Sequence, residues 1–441
     1  MAISTLLIAV QAASIASPEN PLVTLQEKPS MPMLIRIIVA ENHPAFAILS
    51  LIPKEVESQP QIPIGNLRKD HFLLGFTACI RYGIASASTA PDFSMIILRL
   101  IFWSILASIP SLSSAATELY TLEKEIPLKG SGGWDFLSID QVSRRLYVAH
   151  STQIEVIDLE KNQGIATITE TFGVHGFAIA TGLGKGFSSN GNKNSVSVVD
   201  LQSHQTLHTI RTGTNPDAIV YEPSRQEIYA FNAGSNSATV IDAKSERIVA
   251  TIPLGASPEF AVADPDAARI YCNLADGNAV AVIDIKTHTM LERWPTAPGE
   301  IPYGMAFDPK HHRLFVGCRN GLLLMMDSRT GRVIDSIRIG KDVDANAFDP
   351  LTEFVFASCG DGTVTIAQAE TPEKLVALQT LKTAPGAATM ALDLQTHKIY
   401  LPAATLEWPT ADGPLARQRP PKILPDTFKI LVYRLVKPLK E

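Results

Sequence analysis

Asn278-Ala279-Val280-Ala281-Val282-Ile283-Asp284 is one copy of a phrase that recurs along the chain. Val156-Ile157-Asp158, Val198-Val199-Asp200, Val240-Ile241-Asp242 and Val282-Ile283-Asp284 stand 42 residues apart, and Met325-Met326-Asp327 follows 43 later. A second anchor precedes each of these five copies and recurs twice more: Leu146-Tyr147, Gly186-Phe187, Ile228-Tyr229, Ile270-Tyr271, Leu314-Phe315, Val355-Phe356 and Ile399-Tyr400, seven in all. Short β-rich runs at a fixed period of about 40–45 residues are the signature of a β-propeller, one four-stranded blade per repeat. A lone blade leaves both faces open to water, so seven of them stack around an axis. The fold expected is all-β: a seven-bladed β-propeller of four-stranded antiparallel blades.

Residues 214–254 show how one repeat is built. Pro216 to Tyr221 reads as the innermost strand, and Glu222-Pro223-Ser224-Arg225-Gln226 as a polar turn. Proline ends the strand because it has no donor for the ladder. Glu227 to Asn232 is the second strand and Ala238 to Asp242 the third, rich in β-branched residues. Arg247 to Ile252 is the outer strand.

The last repeat stops after its third strand, Phe428 to Arg434. Leu119 to Leu128 has the character of the missing outer strand and resembles Arg247 to Leu254 at its end. The mature N-terminus is therefore expected to supply the outer strand of the last blade. That would close the ring and remove an exposed edge. The propeller is assigned to residues 118–435.

Ahead of it lies a targeting pattern at 95–115. Met95 to Arg99 is a charged start and Leu100 to Ile109 an apolar core. Ser113 and Ala115 stand at the minus-three and minus-one positions of a small-residue cleavage region. Ten apolar residues are short for a bilayer span, so no membrane span is expected after signal cleavage. Residues 1–94 carry no repeat and read as a non-native or disordered extension. The expected location is periplasmic or secreted, and the expected state a monomer.

The chain carries a net charge of −6, all of it after Ala115. Mild acidity argues against nucleic acid as the main partner. Three of four cysteines, Cys272, Cys318 and Cys359, fall in the repeats. Neighbouring packed sheets lie about 10 Å apart, too far for a bridge between equivalent positions, so these are read as buried thiols. There is no phosphate loop, no Gly-x-Ser-x-Gly elbow and no haem-attachment Cys-x-x-Cys-His.

Asp264-Pro265, Arg269-Ile270-Tyr271 and the phrase ending at Asp284, with the turn Gly255-Ala256-Ser257-Pro258, resemble the YVTN-type seven-bladed propeller repeat family. Within it, the chain is most similar to the exported YncE-like members. The resemblance implies a fold and not one chemistry. Blade two departs from it, with Gly182-Leu183-Gly184-Lys185-Gly186 in place of the Asp-Pro turn.

Counting five back from each turn anchor gives the residues expected to ring the channel mouth: Asp135, Gly176, Asp217, Glu259, Tyr303, Asp344 and Ala388. Converging carboxylates repel unless a cation, a proton or water relieves them. A divalent cation or cationic ligand is one reading; a hydrated channel is the other. Trp134 offers a stacking surface or a plug, and His175 and His150 are expected near the same face. The insertion at 402–427 is rich in proline and carries Arg417 and Arg419, opposite in charge to the ring. The expected function is an exported binding or scaffold protein, with a small molecule or protein partner at the acidic mouth. The alternative is a metal-dependent, lactonase-like hydrolase at the same place.

Overall fold

A computed structural model describes residues 118–408 and 421–436, and the backbone of Leu22–Thr24, Met33–Val39 and Ala47–Pro53. The chain divides into two units, Met1–Leu112 and Ser113–Glu441. In the first, the three short strands form one antiparallel sheet. The targeting pattern at 95–115 lies outside the described residues.

The second unit holds seven four-stranded antiparallel sheets. Their innermost strands are Trp134–Asp140, Val174–Ala180, Pro216–Glu222, Pro258–Asp264, Pro302–Asp308, Val343–Asp349 and Ala391–Asp393. In the first six blades the chain runs outward from this strand, as in Pro216–Glu222, Glu227–Asn232, Ser237–Asp242 and Arg247–Pro253. The seventh sheet runs Ala391–Asp393, Lys398–Ala403, Lys429–Leu435, Tyr120–Pro127. Its last pair places Lys429 opposite Pro127 and Leu435 opposite Tyr120. No helix among the described residues is long and apolar enough to cross a membrane.

The repeat phrase has a physical cause. The aspartate that ends the third strand of each of the first five blades turns back and accepts hydrogen bonds from the backbone of the next turn. Asp284 Oδ1 accepts from the amides of Lys286 (2.8 Å) and Thr287 (2.7 Å), and Asp158 Oδ1 from those of Glu160 and Lys161 (both 3.0 Å). This side-chain cap fixes the turn and thus the strand pairing. The aromatic anchor does the packing. Tyr147, Phe187, Tyr229, Tyr271, Phe315, Phe356 and Tyr400 are each no more than 2% exposed. Each sits between neighbouring sheets, where an aromatic ring removes about 150–250 Å² from water. Tyr271 adds a polar tie, its hydroxyl donating to the Ser328 carbonyl of the next blade at 2.8 Å. Cys272, Cys318 and Cys359 are free, buried thiols.

Candidate functional site: a charged cup at the channel mouth

Every innermost strand of the first six blades begins with an irregularity. In blade three, Pro216 pairs with Asn232 and Ile219 with Ala230, so three steps on the inner strand match two on its neighbour. The same extra residue occurs after Trp134, Val174, Pro258, Pro302 and Val343. A bulge of this kind re-aims side chains at the rim of a barrel or ring. The second residue of each strand falls inside it. Those residues are Asp135, His175, Asp217, Glu259, Tyr303 and Asp344.

Blade two corrects the expected ring by one position. Its inner strand ends at Ala180, not one residue later, because the Gly-rich turn replaces Asp-Pro. His175 therefore takes the ring position, and Gly176 lies one step below. A Cβ at Gly176 would come within 3.1 Å of Ile219 Cγ2, so glycine there serves close packing of neighbouring inner strands.

The ring splits into two polar clusters. His175 Nδ1 donates to Asp135 Oδ2 at 2.6 Å and lies 3.8 Å from Asp217 Oδ1. On the other side, Arg319 approaches Asp344 Oδ1 at 3.7 Å and lies over the Tyr303 ring, 3.4 Å from its centroid. Such a cation over a ring face is attracted by the ring quadrupole. Arg319 comes from the turn between the second and third strands of blade five. Sequence reading missed it, and its one signal was a basic residue in a turn on the ring's own face. Below the ring, Phe136 and Phe260 meet edge to face with centroids 5.2 Å apart. A small cavity of about 60 Å³ adjoins them, lined in part by Val220 and Gly176. The mouth is thus a cup with charged walls above an apolar floor.

Four carboxylates share two cations here, and their acidities show the strain. Burial pushes Asp135 up to about 7, with the His175 hydrogen bond pulling the other way. Burial raises Asp217 too, against His175 and Arg319. Glu259 rises to about 8, through burial and then through the charges of Asp217 and Asp344. Asp344 rises to about 6 through burial, opposed by Arg319. Burial works against a charged His175, yet the Asp135 hydrogen bond and the Asp217 charge hold the imidazole up at about 9. Desolvation favours the protonated acid in each case, and like charge adds to it for Asp135, Glu259 and Asp344.

Trp134 and His150 lie elsewhere. Trp134 stacks on Phe428 with centroids 5.5 Å apart and donates through Nε1 to the Gly386 carbonyl at 3.2 Å. It belongs to the packing between blades one and seven and neither stacks over the cup nor plugs it. His150 is buried, stacked on Phe428 at 4.2 Å, with Nδ1 3.4 Å from Glu155 Oε1. Arg417 and Arg419 lie outside the described residues. At the base of their insertion, Leu406–Glu407 pairs with Lys422–Ile423 in a two-stranded ribbon.

Among known proteins the likeness is one of fold. The chain is similar in structure to Kuenenia stuttgartiensis hydrazine synthase, with a TM-score of 0.56 and 17% identity, over 62% of this chain and 92% of that one. It is also similar to a chain of the mitotic checkpoint complex, with a TM-score of 0.59 and 14% identity, over 72% and 92%. No family model and no curated protein matches. The chain is a seven-bladed β-propeller. At these identities nothing of either protein's activity transfers.

Proposed function

We propose that the protein is an exported binding module of the YVTN-type, YncE-like class, and that its cup takes a cationic ligand or a cationic segment of a partner. One observation carries the reading: four partly or wholly buried carboxylates face each other and, among the described residues, only His175 and Arg319 balance them. A site that pulls protons onto its own acids is short of positive charge, and a bound cation supplies it without protonation. The apolar floor of Phe136 and Phe260 gives the hydrocarbon part of such a ligand a surface to rest on. Export is supported by the charged, apolar and small-residue order of Met95 to Ala115. N-terminal sequencing of the secreted or periplasmic product should find a start near Ala116, and a product retaining 1–94 would refute export by that signal.

The ligand class is tested by thermal shift with putrescine and, for contrast, succinate. Putrescine at a hundredfold excess over its dissociation constant should stabilise the fold by about 2.7 kcal/mol. Asp217→Asn with Glu259→Gln should remove that shift, and succinate should give none. Equal shifts with both probes, or none with either, would rule the reading out.

A further inference from the structure

Asp135, His175 and Asp217 come from three consecutive blades, and one ligand atom of each lies within 4.8 Å of the others. The first extra residue of each inner strand holds them there, so the grouping rests on sheet geometry and not on a loose loop. A second observation bears on the same place. Glu259 is 9% exposed, and among the described residues no cationic group lies within ion-pairing distance of its carboxylate. Arg319 is engaged with Asp344 and Tyr303. A buried carboxylate with no cation at ion-pairing distance is costly to ionise, and metal coordination is one of the few ways to relieve it. The Glu259 carboxylate favours a charged His175 and is itself disfavoured by the charge of Asp217, with Arg319 and Tyr303 relieving it in part.

We propose that Asp135, His175 and Asp217 bind a divalent first-row transition ion, whose charge the two aspartates match and whose presence relieves the neighbouring Glu259 carboxylate. The site lies within the cup and rests on the cationic-ligand reading given above. One imidazole nitrogen and two carboxylate oxygens form a donor set that suits zinc, manganese or iron better than calcium or magnesium, which take oxygen. Three protein ligands leave further positions for water or for a donor atom of the ligand. Occupation replaces the proton on His175 Nδ1: the N–H bond breaks, the nitrogen pair coordinates the metal, and the proton leaves to solvent. His175 is then a metal ligand when the ion is present and the cup's own cation when it is not.

The test is calorimetric titration of the full chain with Zn²⁺ at pH 7.5, with Mg²⁺ as the comparison ion. One Zn²⁺ per chain is expected, with Mg²⁺ at least about tenfold weaker. His175→Gln and Asp217→Asn should each lose about tenfold or more in Zn²⁺ affinity, and Glu259→Gln should lose less. Undiminished binding in His175→Gln would put the ion elsewhere and overturn the site. Absence of Zn²⁺ binding by the parent chain would overturn it as well. Should His175→Gln not fold, NMR of the parent chain decides: Zn²⁺ must move the His175 ring resonances, and unmoved resonances refute coordination. Putrescine binding without Zn²⁺ binding would sink this inference alone and leave the cup reading standing.

Discussion

The innermost strands carry carboxylates at both ends, and the two ends treat them in opposite ways. At the far end Asp140, Glu222, Asp264, Asp308, Asp349 and Asp393 each meet turn amides. Glu222 accepts from Ser224 (2.9 Å) and Arg225 (2.8 Å), and Asp308 from Lys310 (3.0 Å) and His311 (3.3 Å). Asp393 also receives Arg144 through two bonds of 2.6 and 2.5 Å. Burial would raise Asp393, but Arg144, Thr396 and the Gln395 amide hold it below the usual range. At the mouth the same residue types sit in a bulge, and all four are raised. Charge at one end makes the fold; charge at the other is left waiting for a cation. Carboxylates held by turn amides are a structural expense already met, whereas buried ones left short of positive charge mark function.

The largest effect lies on the fold-making side. Deleting Glu118 to Leu128 removes the outer strand of blade seven, with Tyr120 fully buried and its hydroxyl donating to the His397 carbonyl at 2.7 Å. We propose that this strand keeps the ring closed. The truncated chain should aggregate on size-exclusion chromatography; a monomer with an unchanged melting point would show that the ring closes without it. Next comes Arg144→Ala, which strands Asp393 in the interior. A loss of about 3–5 kcal/mol is expected in urea unfolding, and a loss under 1 kcal/mol would deny the two ends their difference.

At the mouth the sign reverses. The raised carboxylates contribute stability that is present below their unfolded values and lost as pH rises through about 6 to 8. His175 contributes stability present below its unfolded value and lost as pH rises through about 9. Both act in one direction, so the melting temperature should fall between pH 5 and pH 9. Asp217→Asn with Glu259→Gln should flatten that slope and recover on the order of 1–2 kcal/mol at high pH. An unchanged slope would mean that the mouth carboxylates are not strained. The smallest effect is at a single turn: Asp284→Ala should cost about 0.5–1.5 kcal/mol, with no change in pH slope above pH 5.

This contrast explains what the sequence made legible. The period could be read because its causes are local and repeated. Asp284 bonds to amides two and three residues on, and Tyr271 is buried in its own and the next blade. The ring of acids could be read because every inner strand but that of blade two ends on the same kind of acidic turn anchor, a fixed count after the ring position. His175 was displaced by one, since blade two lacks the Asp-Pro anchor from which the count is made. Arg319 was invisible because its partners Asp344 and Tyr303 come from other parts of the chain. Trp134 could not be placed for the same reason: Phe428 and Gly386 reach it only once the ring has closed on itself.

The most direct measurement is a carboxyl NMR titration that follows Glu259 and Asp284 in one sample. Glu259 should titrate near 8, because burial and its acidic neighbours disfavour its charge. Asp284 should titrate below the ordinary aspartate range, because turn amides favour its charge. If both titrate at roughly 4, the ordinary value for exposed acids, the cup holds no electrostatic strain for a cation to relieve.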